Sequence, residues 1–345
     1  MIELDLALHS FSYSQHYAHV PGFDVFAFIG KAVECGFAGV NINLNRPDWR
    51  HLSGQAPEHL RAVRARLEGY GLSLEIDTSG TAPEALRPLL EAARALGARN
   101  LRTYTRHGGS PQQIFDRTLA DLREAVGVAE AMGVPLVLEN HEDFSGAEVA
   151  AIVAAIGSPW LGALYDYGNS QMVLEDPLDC VDVMLPHVRS MHLKDHLMLR
   201  PEDSPDGRLA VLGVTTGSGC LPIMEITRRL VAAGHRRFVF ENVWAYRAPV
   251  RRDARGTEPV TLGRGSFSYA EPPFDGCLSL SDGAPPQDLA PAELLSGEGR
   301  AVDAGLAWLR SAFSAAGWQL RALPAASLSP PAERRPAAAR QKHIA

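Results

Sequence analysis

Four polar residues follow apolar runs in the second half of the chain, and their types suit the binding of a metal ion. Glu139 lies in PLVLEN, Asp166 ends LGALYD, His192 lies in RSMHLK and Glu241 lies in RFVFEN. Carboxylates brought close together repel one another unless a positive charge lies between them. Three carboxylates and one imidazole suit one divalent metal ion, Mn²⁺ first and Mg²⁺ or Co²⁺ as alternatives. Any one of these residues alone would more often be a cap or an ion-pair partner, so the prediction depends on all four.

Eight short apolar runs predict the strands that must bring these residues together. They begin near residues 2, 39, 72, 100, 135, 161, 189 and 237, and helical patterns separate them, several of which end at or beside a glycine. Alternating strands and helices form right-handed parallel crossovers, and eight parallel strands close into a filled barrel. The sequence therefore predicts an α/β fold, a (β/α)8 TIM barrel. Polar residues at the carboxyl ends of its strands would point into the mouth, the open end of the barrel where active sites of this fold lie. No G-x-G-x-x-G follows the first strand, which argues against an open doubly wound sheet.

The domain organisation expected from the sequence is one barrel over residues 1–320 with a long insertion. The insertion, at about 245–290, lies between the eighth strand and the last helix and is rich in Gly, Pro and Arg. Because it is too long for an ordinary βα loop, it predicts a lid over the site or a docking surface for a second subunit, with a tolerated surface loop as the alternative. The tail at 323–345, rich in Pro, Ala and Arg, is predicted to be disordered.

Composition excludes several classes of protein. The 345 residues are 46% hydrophobic and 21% charged, enough for a large core. The net charge of −7 argues against a nucleic-acid partner, and no apolar run reaches the length of a membrane span. The first residues lack the pattern of a signal peptide, and four scattered cysteines suggest neither a zinc site nor disulfides. We therefore expect a cytoplasmic protein, and both a homo-oligomer and a complex with an accessory subunit are compatible with the sequence.

The four predicted ligands would also bring proton-transfer groups to the metal ion. A divalent ion that binds a carbonyl oxygen and the adjacent hydroxyl oxygen of a substrate stabilises the enediolate formed when a carbon-bound proton leaves. Glu139 and Glu241 are the candidate base and acid, and His141 is the next candidate. Reprotonation at the other carbon gives an isomerase, reprotonation on the other face gives an epimerase, and loss of a leaving group gives a lyase.

The function expected is that of a sugar or keto-polyol isomerase or epimerase acting on a small carbohydrate. One alternative is a lyase with the same metal ion: a keto-sugar dehydratase, a keto-sugar-acid decarboxylase or a C-glycoside-cleaving subunit. The other alternative is a carbohydrate-binding barrel without catalytic activity, which would bind sugar unchanged in the presence of EDTA.

Further polar residues near the strand ends are candidates for contact with the substrate. Lys194 and His196 share the strand parity of His192, so all three are expected on the same side of the strand. Ion pairing with an acid at the rim is the alternative role for Lys194. The predicted substrate contacts are Asn169, Lys194, His196, Arg102 and His107. Strand-end residues without an assigned role are Glu75, Asp77 and Arg106.

The motifs LENH, YDYGN, HLKD and FEN resemble those of the xylose-isomerase-like TIM barrel superfamily, which includes the sugar phosphate isomerase/epimerase family. That superfamily holds isomerases, epimerases, inositol-pathway dehydratases and related lyases. The resemblance covers residues 1 to about 244 in the order of strands and helices, and it implies that the four ligand residues named above bind one divalent ion. The ketose 3-epimerases commonly carry a histidine and an arginine near the second and third ligands. Asn169 and Met198 stand there in this sequence, which argues against epimerisation of a free ketohexose.

Overall fold

Eight parallel strands form a closed barrel in the computed structural model of the chain. The model describes residues 1–45, 49–204, 207–250 and 289–322. The barrel strands are β1 (Ile2–His9), β2 (Gly39–Asn43), β3 (Ser73–Asp77), β4 (Leu101–Thr103), β5 (Leu136–Glu139), β6 (Leu161–Asp166), β7 (Val188–Leu193) and β10 (Arg237–Phe240). Neighbouring strands pair in parallel, and β10 pairs with β1, where Arg237 lies opposite Asp5. The predicted (β/α)8 TIM barrel is confirmed.

Helices connect the strands and begin and end where the local sequence favours it. They are α1 (Ser14–His19), α2 (Val25–Glu34), α3 (Pro57–Tyr70), α4 (Pro83–Leu96), α5 (Pro111–Met132), α6 (Gly146–Ile156), α7 (Pro177–Met184), α8 (Ile223–Ala232) and α9 (Pro291–Ala315). Ser110 and Gln113 form a capping box at the start of α5. Gly71, Gly97 and Gly133 follow α3, α4 and α5 with φ of 67°, 74° and 69°, a left-handed conformation that glycine adopts without a steric penalty. None of the helices in the described part of the chain has the length and apolarity needed to cross a membrane.

Alternate positions along the strands separate the apolar core from the polar interior of the barrel. Val40 and Ile42 on β2 and Ile76 on β3 belong to the main hydrophobic core. Asn41 lies between the two core residues of β2, and Asp77 follows Ile76 at the end of β3. Both are buried and are joined by a hydrogen bond of 2.8 Å. Because successive side chains on a strand point to opposite faces, a polar residue at the interior position is placed inside the barrel. The same alternation places the predicted ligands at the mouth.

A second, antiparallel sheet of three strands was missed by the sequence analysis. Its strands are β8 (His196–Leu199), β9 (Ala210–Gly213) and β11 (Arg247–Pro249), with β9 paired to both others. The insertion predicted from about residue 245 therefore begins with regular structure, since Arg247 lies in a strand, is 1% exposed and donates to the hydroxyl of Ser204. Pairing with distant β9 stabilises this short segment, and its own sequence carries no strand signal. A last strand, β12 (Trp318–Leu320), pairs with the start of β1.

The predicted insertion and tail lie mainly outside the described residues. Residues 251–288 and 323–345 are not described. The single-domain boundary at 1–320, the lid or docking role of the insertion and the disorder of the tail therefore stay predictions.

A buried carboxylate on α9 fixes the short helix α1. Glu298 is 2% exposed and accepts the backbone N–H groups of Gln15 at 2.7 Å and His16 at 3.1 Å. It also accepts the hydroxyl of Ser14 at 3.2 Å and lies 2.6 Å from Nδ1 of His16. The first N–H groups of a helix lack partners within the helix, and a negative charge there is favoured by the helix dipole. The last helix thereby holds the first loop in place.

Removing the charge of Glu298 should destabilise the protein. We expect Glu298→Gln to lower the free energy of unfolding by about 1–3 kcal/mol, because hydrogen bonds to a charged, buried acceptor are lost or weakened. Thermal and urea denaturation measure the change. Asp303→Asn, at an exposed position of the same helix, is the control and should leave stability nearly unchanged. Equal stability of both variants and the parent would contradict the anchoring role.

Candidate metal centre

The four predicted ligand residues come together at the carboxyl ends of β5, β6, β7 and β10. Nδ1 of His192 lies 4.0 Å from Oε1 of Glu139, 3.9 Å from Oδ2 of Asp166 and 3.8 Å from Oε2 of Glu241. These separations are too long for hydrogen bonds. An ion with bonds of about 2.1 Å to each atom spans them. Donor atoms of Glu139, Asp166 and His192 all lie within 4.8 Å of one another, which has the dimensions of a site for one metal ion; Glu241 forms a second such group with His192 and His9.

The hydrogen bonds of Asp166 and His192 leave one atom of each available to a metal ion. Oδ1 of Asp166 accepts the N–H groups of Gly168 at 2.9 Å and Asn169 at 3.0 Å and lies 3.1 Å from Nζ of Lys194. Oδ2 of Asp166 and Nδ1 of His192 are buried and have no hydrogen-bond partner among the described residues. Because a buried polar atom without a partner is costly, these two atoms fit the donor set of a divalent ion.

The charges of the buried groups also favour a divalent cation. Four carboxylates and two cationic side chains meet around the site, so two negative charges lack compensation among the described residues that form it when all four acids are ionised. The carboxylates are those of Asp77, Glu139, Asp166 and Glu241, and the cations are Arg102 and Lys194. Buried charge is strongly unfavourable unless it is paired. A bound divalent ion would neutralise the excess.

Burial and neighbouring charges shift the acidity of the ligand side chains. Burial lowers the pKa of His192 to about 3, so the imidazole is neutral at pH 7, as a metal ligand must be. Burial raises the pKa of Glu139 to about 8, although Arg102 opposes the shift. Burial acts in the same direction on Glu241, but His9 and Lys194 outweigh it and lower the pKa of that carboxyl. The two glutamates thus lie in different electrostatic surroundings.

A cavity of about 580 Å³ lies above the ligands. Predicted residues that line it are Arg102, Glu139, His141, Asn169, Lys194, His196 and Glu241. Asp166 and His192 are fully buried and are not part of this lining. Substrate in the cavity would therefore meet two of the four ligand side chains, Glu139 and Glu241.

Hydrogen bonds connect the predicted substrate contacts to the ligands. Nζ of Lys194 donates to Oδ1 of Asn169 at 2.7 Å, and Nδ2 of Asn169 donates to Oε1 of Glu139 at 2.9 Å. Lys194 therefore pairs with a rim acid, Asp166, and not with its neighbour Asp195, whose carboxylate accepts backbone N–H groups instead. This chain of contacts fixes the side chain of Glu139 at the floor of the cavity.

The candidate proton-transfer residue His141 and the other predicted substrate contacts differ in their surroundings. The ring of His141 stacks on Tyr104, with 3.6 Å between ring centroids and 4° between planes. Nε2 of His196 lies 2.5 Å from Oε1 of Gln171, and burial lowers the pKa of His196 to about 3. His107 is the exception, because the structure places it away from the cavity lining.

His107 does not contact the cavity because another carboxylate holds it. Its Nε2 lies 2.7 Å from Oδ2 of Asp121 on α5, which also accepts the hydroxyl of Thr81 at 2.6 Å. The prediction that His107 binds substrate rested on its position beyond the fourth strand. The loop after that strand turns it toward α5 and away from the cavity lining, so its contact with substrate stays a prediction.

Two interior residues of the site were missed by the sequence analysis. His9 ends β1 and Asn41 lies within β2, and both are fully buried beside Asp77. In the sequence, each is a single polar residue in an apolar strand, a pattern that also occurs at strand ends without any functional role. Their place beside the metal centre depends on contacts with Asp77 on β3 and His192 on β7, which the local sequence does not show.

Comparisons with known proteins place the chain among barrel enzymes. A profile of the xylose isomerase-like TIM barrel family matches residues 29–258. The 3-oxo-isoapionate decarboxylase of Pectobacterium atrosepticum is 34% identical over 155 residues, which are 45% of this chain and 56% of that protein. The chain spans little more than half the length of the curated relatives that it matches first, 56% and 61%.

Solved structures with a similar fold share little sequence with this chain. The D-psicose 3-epimerase of Clostridium cellulolyticum H10, in a structure with D-tagatose, has a TM-score of 0.55 at 14% identity and covers 70% of this chain and 86% of its own. The IOLI protein, in a structure with a zinc atom, has a TM-score of 0.54 at 13% identity and covers 70% and 90%. At these identities the likeness supports the fold alone.

Removing a ligand that the cavity does not expose should abolish metal binding. We expect His192→Ala and Asp166→Ala, after loading with Mn²⁺ and dialysis, to retain well below one ion per chain, because each loses a buried donor atom. Elemental analysis by mass spectrometry measures the metal content. His187→Ala, at the opposite end of β7, is the control and should bind metal like the parent. Full metal content in His192→Ala would refute the ligand assignment.

Proposed function

Because this chain belongs to the xylose isomerase-like TIM barrel family, we propose that it is a divalent-metal-dependent isomerase or epimerase of a keto sugar or keto-polyol. The observation that carries this proposal is the exposure of the ligand residues. Glu139 and Glu241 line the cavity, whereas Asp166 and His192 are sealed below it. Two of the carboxylates at the metal centre can therefore also exchange a proton with a substrate, as the shift of a hydrogen next to a carbonyl requires.

The proposed reaction assigns different roles to the metal ion, to the two glutamates and to the residues that hold them. A divalent ion held by the four ligand residues, Mn²⁺ first and Mg²⁺ or Co²⁺ as alternatives, would act as a Lewis acid toward the carbonyl group of the substrate. Glu139 on β5 and Glu241 after β10 approach the cavity from strands separated by β6 and β7. One carboxylate removes the proton from carbon and the other returns it, to the adjacent carbon or to the opposite face. Lys194 and Asn169 hold Glu139 in place for this step.

Replacing either glutamate by glutamine should slow the chemical step. Glutamine keeps the shape but cannot accept a proton, so we expect kcat to fall by on the order of 10² or more at saturating Mn²⁺. The assay follows uptake of solvent deuterium into keto sugars, and metal content is measured in the same samples to separate proton transfer from metal binding. Glu225→Gln, in a surface ion pair on α8, is the control. Normal turnover in both variants would assign the proton to another group, with His141 the next candidate.

Decarboxylation of a keto-sugar acid is the second candidate function. The relative of 34% identity is named a decarboxylase, and the cavity has cationic groups that would attract an acid. Arg106 donates to the hydroxyl of Tyr104 at 2.6 Å, and its remaining N–H groups have no acceptor among the described residues. Arg50 also lines the cavity and donates to the carbonyl oxygen of Tyr17 at 2.5 Å. A free guanidinium group is well suited to a carboxylate.

Decarboxylation would use the same two carboxylates differently. In a 2-hydroxy-3-keto acid, the bond between the carboxylate and C2 breaks, CO₂ leaves, and the electron pair remains on the substrate as an enediolate. Glu139 or Glu241 then delivers one proton to that carbon. The product has gained one hydrogen from solvent and has one carbon atom fewer than the substrate.

The two candidate functions differ in their products and in their need for Arg106. Release of labelled CO₂ from a carboxyl-labelled keto-sugar acid would select decarboxylation, and deuterium uptake without CO₂ would select the isomerase or epimerase. If the acid is the substrate, Arg106→Met should raise its KM by roughly 10-fold or more, the effect of a lost charged hydrogen bond, and leave metal content unchanged. Arg94→Met, on the outer helix α4, is the matched control. An unchanged KM in Arg106→Met would exclude that arginine from substrate recognition.

A further inference from the structure

The cavity above the metal centre has two halves of different character. The four ligand residues come from β5, β6, β7 and β10, which are neighbours around the barrel and so form one half of its mouth. The chain after β1, β2 and β4 lines the other half. We call five residues there the distal wall: Gln15, His19, Asn45, Arg50 and Arg106. All acids among the described lining residues belong to the ligand half, so the distal wall is polar without negative charge.

A contact across the mouth narrows the ligand half of the cavity. The hydroxyl of Tyr246, which follows β10, donates to Oε1 of Glu142, which follows β5, at 3.3 Å. Because β6 and β7 lie between those two strands, the contact crosses the cavity on the side of the ligands. The ring of Phe11 meets Tyr246 edge-on, with 6.1 Å between ring centroids. A substrate whose carbonyl group reaches the ligands therefore extends its remaining atoms toward the distal wall.

The cavity is also larger than a single sugar. Its volume is about 580 Å³. A hexose occupies roughly 200 Å³ at the packing density of a protein interior. One keto sugar at the ligands would thus fill less than half of the space, and a second unit of the same size fits beside it.

The distal wall offers both donors and acceptors of hydrogen bonds. Oδ1 of Asn45 and Nε2 of His19 are buried without a partner among the described residues. Asn45 lines the cavity, and a turn about its last side-chain bond, a soft torsion, would present this oxygen there. Arg50 donates to the carbonyl oxygen of Tyr17 and has further N–H groups to offer.

Hydroxyl groups match this wall better than an anion does. A hydroxyl both donates and accepts, so neighbouring hydroxyls of one ring can satisfy the oxygen of Asn45 and the guanidinium group of Arg50. A carboxylate or a phosphate dianion only accepts, so it would leave the oxygen of Asn45 unpaired, which is costly at a buried position. The distal wall is therefore suited to a neutral unit that carries several hydroxyl groups.

We propose that the distal wall is a second sugar subsite and that the substrate is a keto sugar linked to another, neutral sugar unit. The inference deepens the proposed function and rests on it for the identity of the reacting ring. The keto ring lies at the ligands, and the hydroxyls of the second ring bind Asn45, His19 and Arg50. Affinity for the second ring is a property of the distal wall, so it is measured separately from turnover.

The test compares two probes by isothermal titration calorimetry with the Mn²⁺-loaded protein. One is the methyl glycoside of 3-keto-glucose, and the other is 3-keto-cellobiose, in which a glucose unit replaces the methyl group. We expect the disaccharide to bind about 10-fold or more tightly, the gain from two or three added hydrogen bonds. In Arg50→Met and in Asn45→Ala, this ratio of dissociation constants should fall toward 1. Arg61→Met, on the outer helix α3, is the matched control and should keep the ratio of the parent.

The outcomes separate the second subsite from the proposed function. A parent ratio near 1, no binding of the disaccharide, or a ratio unchanged in both variants would overturn the subsite. Tighter binding of 3-keto-gluconate or 3-keto-glucose 6-phosphate than of the disaccharide, lost in Arg50→Met, would assign the wall to an anion and overturn it as well. If the ratios are as expected but no probe takes up solvent deuterium, the subsite stands and the proposed isomerase or epimerase fails. Deuterium uptake into the methyl glycoside with a parent ratio near 1 would leave the proposed function and remove the subsite.

Discussion

The repulsion between carboxylates buried at one end of the barrel is the constraint on which the site depends. Parallel strands that close into a barrel deliver their carboxyl ends to a common point, so acids from β3, β5, β6 and β10 approach one another there. Arg102 and Lys194 compensate part of this charge from within the fold. A divalent cation would neutralise the remainder, and its binding would then be coupled to folding through the same groups.

In two of the buried acids, Asp166 and Glu139, the two carboxylate oxygens have different partners. Asp166 turns Oδ1 toward two backbone N–H groups and Lys194 and keeps Oδ2 for the centre. Glu139 is held by Asn169 through Oε1, and its other oxygen lies 3.1 Å from Nε of Arg102. Because the supporting contacts come from rigid strand ends and adjoining turns, the ligand atoms are fixed before a metal ion or substrate binds. Such preorganisation favours both metal affinity and charge stabilisation during a reaction.

Parts of the chain beyond the regular barrel shape the space above this centre. Residues of α1, held by Glu298 on the last helix, line the cavity, and so do residues of β9 and of the chain leading into β11. The barrel strands thus supply the residues of the candidate metal centre, and the added elements shape the cavity above it. In TIM barrels generally, different functions arise largely by variation of the loops at this end of the barrel.

The sequence by itself determined the features of this protein that depend on local pattern. Apolar runs located the eight strands, glycines marked the ends of helices, and strand-end acids and histidine identified the residues that meet at the centre. Only the tertiary structure decided the partners of those residues. It placed His9 against Asp77, 68 residues away in sequence, and turned His107 toward Asp121. It also paired β11 with β9, so that Arg247, within the predicted insertion, is buried. These outcomes depend on contacts between residues distant in the chain, and periodicity within one segment carries no information about them.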